Sequence, residues 1–247
     1  MPFQFLKRQR SITERPRLPV FAVDVHAHVL PGLDNGPATL DESIVLLQEM
    51  AAYGVRKVVA TPHIMGDFYN NTNEGILFAY QQLKSALASR NINIEVEVAA
   101  EYYLDVSLVA KIESQQPLLL IANKYLLFET NIIGIPLFLN EVLQMLNARG
   151  IVPVMAHPER YHYLQQDFGI VRQLRDHGVL FQVNIGAWQH SHFATRQLAE
   201  RLVQEGMVSL MGSNVHNARE WAQASDALRT KTYAKAVEYG LLNQKLF

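Results

Sequence analysis

Short apolar runs recur along the chain near residues 20–25, 55–60, 94–100, 125–128, 151–155, 179–183 and 207–211. Their length and their Val, Ile, Leu and Phe content read as strands buried on both faces. Between most of them the hydrophobic spacing changes to a helical period. Thr39-Leu40-Asp41-Glu42 has the form of a capping box, opening a helix that runs to Tyr53 and stops at Gly54. Further amphipathic helices are predicted over 74–90, 138–149, 164–177 and 193–205. Gly150, Gly178 and Gly206 each stand between a helical pattern and a strand, the place of a left-handed residue closing a helix. The last 30 or so residues read as helical, with Trp221 and Tyr233 as packing anchors.

Seven strands alternating with helices imply a parallel sheet, either open and doubly wound or closed into a barrel. The polar residues decide between them. An open sheet gathers its functional groups at one switch point. Here polar groups end every strand: Asp24 to His28, His63, Glu101, Glu129, His157, Asn184, and Asn214 with His216. A closed ring brings all of these tips to one centre. The expectation is therefore a distorted seven-stranded (β/α) TIM-like barrel with its site on the C-terminal face.

At 247 residues, 49% hydrophobic and 18% charged, the chain can form one such domain over 20–247. A net charge of −1 gives no global attraction for nucleic acid. Residues 1–19 differ: Lys7, Arg8, Arg10, Arg15 and Arg17 against Glu14 make a basic arm of local charge +4. It reads as a solvated arm, with a contact to anionic lipid or an acidic partner as the alternative. Cysteine is absent, which removes disulfides, thiolate ligands and a cysteine nucleophile. No apolar run approaches the ~20 residues of a membrane span, and no signal-peptide pattern follows the basic start. A cytoplasmic protein is expected.

His26-x-His28 on an extended segment places both rings on one side, able to chelate one ion or simply to face water. Asp24 points the same way and could orient a ligand. His63, after Thr61-Pro62, reads alone as a structural or surface histidine. Glu101 and Glu129 end strongly apolar runs, where an unpaired carboxylate is costly. Facing several imidazoles, the two could share cations, a carboxylate bridging metals ~3.5–4 Å apart. His157 is followed by Pro158 and Arg160. Arg160 fits either a rim salt bridge or a phosphate clamp, as does Arg219 after His216. His190 and His192 lie in the loop after the sixth strand and could reach a substrate.

The segments DVHAHVLPGLDNG, ATPH, AAEYY, LFE, PVMAHPERY and GSNVHN occur in order. Together they resemble the PHP (polymerase and histidinol phosphatase) superfamily, and within it the metal-dependent protein-tyrosine phosphatases of bacterial capsular and exopolysaccharide loci. The resemblance runs from about residue 20 to the C-terminus. It implies up to three divalent ions, most often manganese, with iron or zinc as alternatives. It implies a substrate in the phosphotyrosine tail of a tyrosine autokinase controlling polysaccharide export. By motif position it assigns the metal ligands to His26, His28, His63, Glu101, Glu129, His157 and His216, and phosphate binding to Arg160 and Arg219.

Two positions depart from that pattern. Asn35 stands where the resemblance implies a second Asp in Leu33-Asp34-Asn35-Gly36, and Asn214 replaces the Asp of the last motif. An amide oxygen can coordinate a hard cation, but without charge. Three functions are therefore weighed: metal-dependent hydrolysis of a phosphotyrosine ester, an attenuated pseudophosphatase that holds phosphotyrosine tails, and another PHP phosphoesterase such as histidinol phosphatase.

Overall fold

Thr39 starts the first helix as the sequence implies. Its hydroxyl accepts from the Glu42 backbone N–H at 3.3 Å, and Glu42 Oε2 accepts from the Thr39 N–H at 3.4 Å. This helix, α1 (Leu40–Tyr53), ends at Gly54 with φ 115°. Gly150, Gly178 and Gly206 are likewise left-handed, at φ 70°, 87° and 63°. Side chains with a Cβ rarely adopt that conformation, so these glycines set where helices stop.

The computed structural model describes residues 21–246; the basic arm expected at 1–19 lies outside the described residues. Nine strands are described: β1 (Val23–Ala27), β2 (Lys57–Ala60), β3 (His63–Ile64), β4 (Glu95–Val98), β5 (Glu101–Tyr103), β6 (Tyr125–Glu129), β7 (Val152–Ala156), β8 (Leu180–Asn184) and β9 (Val208–Gly212). The helices after α1 are α2 (Asn73–Ser89), α3 (Val106–Glu113), α4 (Leu139–Ala148), α5 (His162–Gln166), α6 (Phe168–Asp176), α7 (Phe193–Gln204), α8 (Ala218–Ser225) and α9 (Lys231–Glu238). The single helix expected over 164–177 is two, because the Asp167 carboxylate accepts from Gly169 N–H at 2.7 Å and caps a new start. The short helix α3 was not foreseen.

All strand pairs are parallel, in a three-stranded sheet ordered β1-β2-β4 and a six-stranded sheet ordered β3-β5-β6-β7-β8-β9. The alternation and parallel pairing match the expectation. A single closed ladder of seven strands is not found among the described residues. Two interruptions divide the strands between two sheets, and β1 and β9 are not paired as a ladder. Thr61-Pro62 separates β2 from β3, and proline has no N–H for a ladder. Ala99-Ala100 separates β4 from β5, where Ala100 N–H turns away to Leu119 O at 3.3 Å.

The junction between β1 and β9 is held by other means. Asn243 Nδ2 donates to Val23 O at 2.9 Å and Met211 O at 2.6 Å, while its Oδ1 accepts from Met211 N–H at 2.9 Å. Nearer the site, Asp24 Oδ1 accepts from Ser213 N–H at 2.9 Å. Beyond it, Asn214 N–H donates to His26 O at 2.7 Å, and His28 N–H to Val215 O at 2.9 Å. The approach is so close that a Cβ on Gly212 would collide with the His26 Cβ.

Two apolar clusters result. A large one fills the space between strands and helices and includes Trp221 and Tyr233, the anchors expected from sequence. A small one gathers Val23, Val25, Val59, Leu127, Val154, Ala156 and Leu210 from both sheets. Both sheets thus enclose one interior, and their C-terminal ends carry the polar residues.

Candidate metal centre

Glu101 occupies the middle of the site. It begins β5, is fully buried, and its Oε2 lies 3.1 Å from His26 Nε2, 3.4 Å from His28 Nε2 and 3.3 Å from His63 Nε2. Its Oε1 lies 2.9 Å from His157 Nε2. Glu129, ending β6, stands beside it, 3.6 Å from His63 Nε2 and 3.6 Å from His157 Nε2. Strands β1, β5, β6 and β7, with the short β3, therefore converge their tips on one point.

The rings present Nε2 inward because their Nδ1 atoms are engaged elsewhere. Gln182 Oε1 accepts from His26 Nδ1 at 2.7 Å. Asp34 Oδ2 accepts from His28 Nδ1 at 2.7 Å and from His63 Nδ1 at 3.1 Å. Glu220 Oε2 accepts from His216 Nδ1 at 3.0 Å and from the His216 N–H at 2.9 Å. Each acceptor fixes a tautomer with the proton on Nδ1 and the lone pair on Nε2. His157 is the exception: its Nδ1 is buried without a partner among the described residues, and its backbone is left-handed at φ 34°. A non-glycine residue held there marks local strain.

This arrangement fits divalent cations. His26 Nε2 and His28 Nε2 face each other at 3.3 Å, so two lone pairs meet unless a proton or metal ion intervenes. Three overlapping groups have ligand atoms within 4.8 Å of one another: His26/His28/Glu101, His28/Asp34/His63 and His63/Glu101/Glu129. Mixed imidazole and carboxylate donors suit Mn, Fe or Zn.

Without a cation the site is electrostatically unbalanced. Burial opposes ionisation of Glu101, yet the His26, His157 and His28 rings hold it well below the usual carboxylate range. Burial and the Glu101 charge push Glu129 up to about 8. Burial disfavours a charged His28, but Asp34 and Glu101 outweigh it and raise His28 to about 10. Burial lowers His157 to about 4; burial and the His28 charge lower His216 to about 4. One carboxylate thus keeps a proton that a bound cation would displace.

The structure brings six sequence-predicted ligands together: His26, His28, His63, Glu101, Glu129 and His157. His216 stacks on His28, with ring centroids 4.3 Å apart and planes 10° off parallel. Asn214 adjoins them through its backbone and is left-handed at φ 53°, a conformation that Asn tolerates. Asn35 is exposed and borders two cavities. Arg160 lines the larger, about 780 Å³, with Glu159, His190, Asn214 and His216. Arg219 lines the other, about 440 Å³, so the two arginines do not share one cavity.

Asp34, Gln182, Glu159 and Glu220 were not singled out from sequence. Gln182 could have been, as a polar residue inside the apolar run LFQVN. Glu220 stands four residues after His216, a helical spacing. Glu159 is buried, its Oε1 accepting from Asn184 N–H at 3.2 Å, and burial pushes it up to about 7.

Fold and site together define a parallel α/β protein with a buried histidine–carboxylate cluster that could hold a metal ion. Comparison with known proteins narrows this. Residues 22–238 match the family described as capsular polysaccharide synthesis, CpsB/CapC, and the chain belongs to that family. It is similar to the putative tyrosine-protein phosphatase CapC of Staphylococcus aureus, 25% identical over 232 residues, covering 91% of this chain and 90% of that one. It is similar to the tyrosine-protein phosphatase YwqE of Bacillus subtilis (strain 168), 26% identical over 200 residues, with 80% and 78% covered. A crystal structure from work on YwqE of B. subtilis and CpsB of Streptococcus pneumoniae, described as metal-dependent tyrosine phosphatases, superposes with TM-score 0.77 at 24% identity, covering 90% of this chain and 94% of that one. Histidinol phosphate phosphatase from Lactococcus lactis, with zinc, L-histidinol and phosphate, shares the fold at TM-score 0.57 and 14% identity, covering 89% and 94%.

Proposed function

We propose that this chain is a metal-dependent tyrosine-protein phosphatase of polysaccharide production. The observation that carries the reading is the Glu101 carboxylate ringed by four inward-facing Nε2 atoms beside a second carboxylate, Glu129. The names of the relatives agree with it. By this reading His26, His28, His63, Glu101, Glu129, His157 and His216 hold up to three cations, manganese first among the candidates. Bound cations supply charge neutralisation on the phosphate and activation of water.

The chain's own residues do the rest. Arg160 stands exposed in the large cavity beside Glu129 and His157, where its planar fork can bind phosphate oxygens. Gln182, Asp34 and Glu220 keep the imidazoles in one tautomer. Burial of Glu101 keeps bulk water from weakening these interactions. The leaving phenol needs little help, because its ordinary pKa of about 10 makes it a fair leaving group. The substrate in this reading is the phosphotyrosine tail of a tyrosine autokinase, met in the cytoplasm. Among the described residues no helix is long and apolar enough to cross a membrane. The two sheets read as one distorted seven-stave barrel if β2 with β3 and β4 with β5 each count as one broken stave; the β1–β9 junction supports this.

Manganese-loaded protein should release phosphate from a phosphotyrosine peptide; folded, loaded protein that releases none would refute the reading. Asn214 favours a second reading, an attenuated enzyme that holds the tail without fast turnover. Asn214→Asp discriminates: a rise in turnover of tenfold or more supports attenuation, and unchanged turnover removes it.

A further inference from the structure

We propose that an apolar lip beside the metal centre docks apolar residues flanking the phosphotyrosine, giving the enzyme a preference for such sequences; this rests on the phosphatase reading above. The lip is built from Phe68, Val106, Ile132, Ile133 and Leu137. Phe68, Val106, Ile133 and Leu137 are 79%, 79%, 77% and 101% exposed. Large apolar side chains open to water on neighbouring loops are the raw material of a binding surface.

Their placement identifies what they bind. Each follows a strand that delivers a ligand: Phe68 comes after His63, Val106 after Glu101, and the run Ile132–Leu137 after Glu129. Strands β3, β5 and β6 are consecutive neighbours in the six-stranded sheet. Their loops are also tied together. Gly66 N–H donates to Asp105 Oδ2 at 3.1 Å, and Leu104 N–H to Glu129 O at 2.9 Å. The lip is therefore continuous with one side of the site mouth. The opposite side, formed after β7, β8 and β9, is polar, with Arg160, Asn184, Gln189, His190 and Gln223 along the large cavity.

A phosphotyrosine whose phosphate reaches the buried centre must carry its polypeptide across this mouth. Its neighbours then lie against the lip on one side and the polar wall on the other.

The test compares three substrates of the metal-loaded protein: a phosphotyrosine peptide with Leu and Phe flanks, the same peptide with Ser flanks, and p-nitrophenyl phosphate. Wild type should show kcat/KM about tenfold higher on the Leu/Phe peptide, the size expected for partly burying two apolar side chains. The double variant Ile133→Ser, Leu137→Ser should lose that preference while hydrolysing p-nitrophenyl phosphate within about twofold of wild type, which also reports that it folds. Equal rates on both peptides, with the small ester cleaved, would overturn the lip alone. No hydrolysis of any substrate would instead defeat the phosphatase reading itself. A double variant that changes the oligomeric state in sedimentation, without changing peptide preference, would assign the lip to a second copy and overturn the proposal.

Discussion

Asp34→Asn probes how the imidazoles are held. Asp34 Oδ2 accepts three hydrogen bonds, from His28 Nδ1 at 2.7 Å, His63 Nδ1 at 3.1 Å and His63 N–H at 3.0 Å. Oδ1 accepts a fourth from Gly36 N–H at 2.9 Å. An amide has one oxygen. If that oxygen replaces Oδ2, the amide NH2 is set against the Gly36 N–H; if it replaces Oδ1, both imidazoles lose their acceptor. In either orientation the negative charge is gone. Removing the partner of a metal-binding histidine costs 10–100-fold in affinity, and here two rings share one partner. The expected loss is about 100-fold in manganese affinity, or about 2.7 kcal/mol. Isothermal titration of metal-stripped protein measures it, with circular dichroism confirming the fold. Asp41→Asn, which removes an exposed charge paired among the described residues with Arg90 at 2.7 Å, serves as control and should change nothing. Affinity of Asp34→Asn within twofold of wild type would show that the rings are oriented without Asp34.

Other expectations follow from the same geometry. In metal-stripped protein, Glu129 is raised to about 8 and His28 to about 10, so both bind protons more tightly folded than unfolded. Stability should fall as pH rises from about 7.5 to 9, because there His157 and His216, lowered to about 4 when folded, are neutral in the unfolded chain as well and contribute almost no opposing slope. Differential scanning fluorimetry reads this as a falling Tm, and saturating manganese should flatten it; a Tm that climbs with pH in stripped protein contradicts the charge assignment. Asn243→Ala removes three hydrogen bonds that bridge β1 and β9, leaving buried backbone groups unpaired. Urea denaturation should show a loss of about 2–4 kcal/mol; a loss below about 0.5 kcal/mol would mean that the junction does not depend on this side chain.

Much of this molecule is legible in the chain, for local reasons. Strand runs and the capping box at Thr39 depend on residues within a few positions, and so do the left-handed glycines at 54, 150 and 178. The ligands were legible because each ends an apolar run, where a polar side chain has little other reason to be. What escaped depends on residues far apart. Gln182 meets His26 across 156 positions, and Asn243 meets Val23 across 220. Asn35 drew attention as a missing carboxylate, yet its neighbour Asp34 is the one that turns toward the histidines. The closed ladder expected of seven strands is broken near Pro62 and Ala100 and is unpaired between β1 and β9; such short breaks do not disturb the hydrophobic period that announces a strand, so the sequence does not reveal them.

In the proposed reading Glu101, inside its ring of imidazoles, organises a cluster of several cations. Elemental analysis by plasma mass spectrometry after manganese loading and desalting tests it directly, on wild type and Glu101→Gln. Wild type should hold at least two ions per chain and the folded variant fewer than one, because three of the four facing Nε2 atoms share the Glu101 Oε2. Wild type that holds no ion, or a Glu101→Gln protein that keeps the full complement, would contradict it.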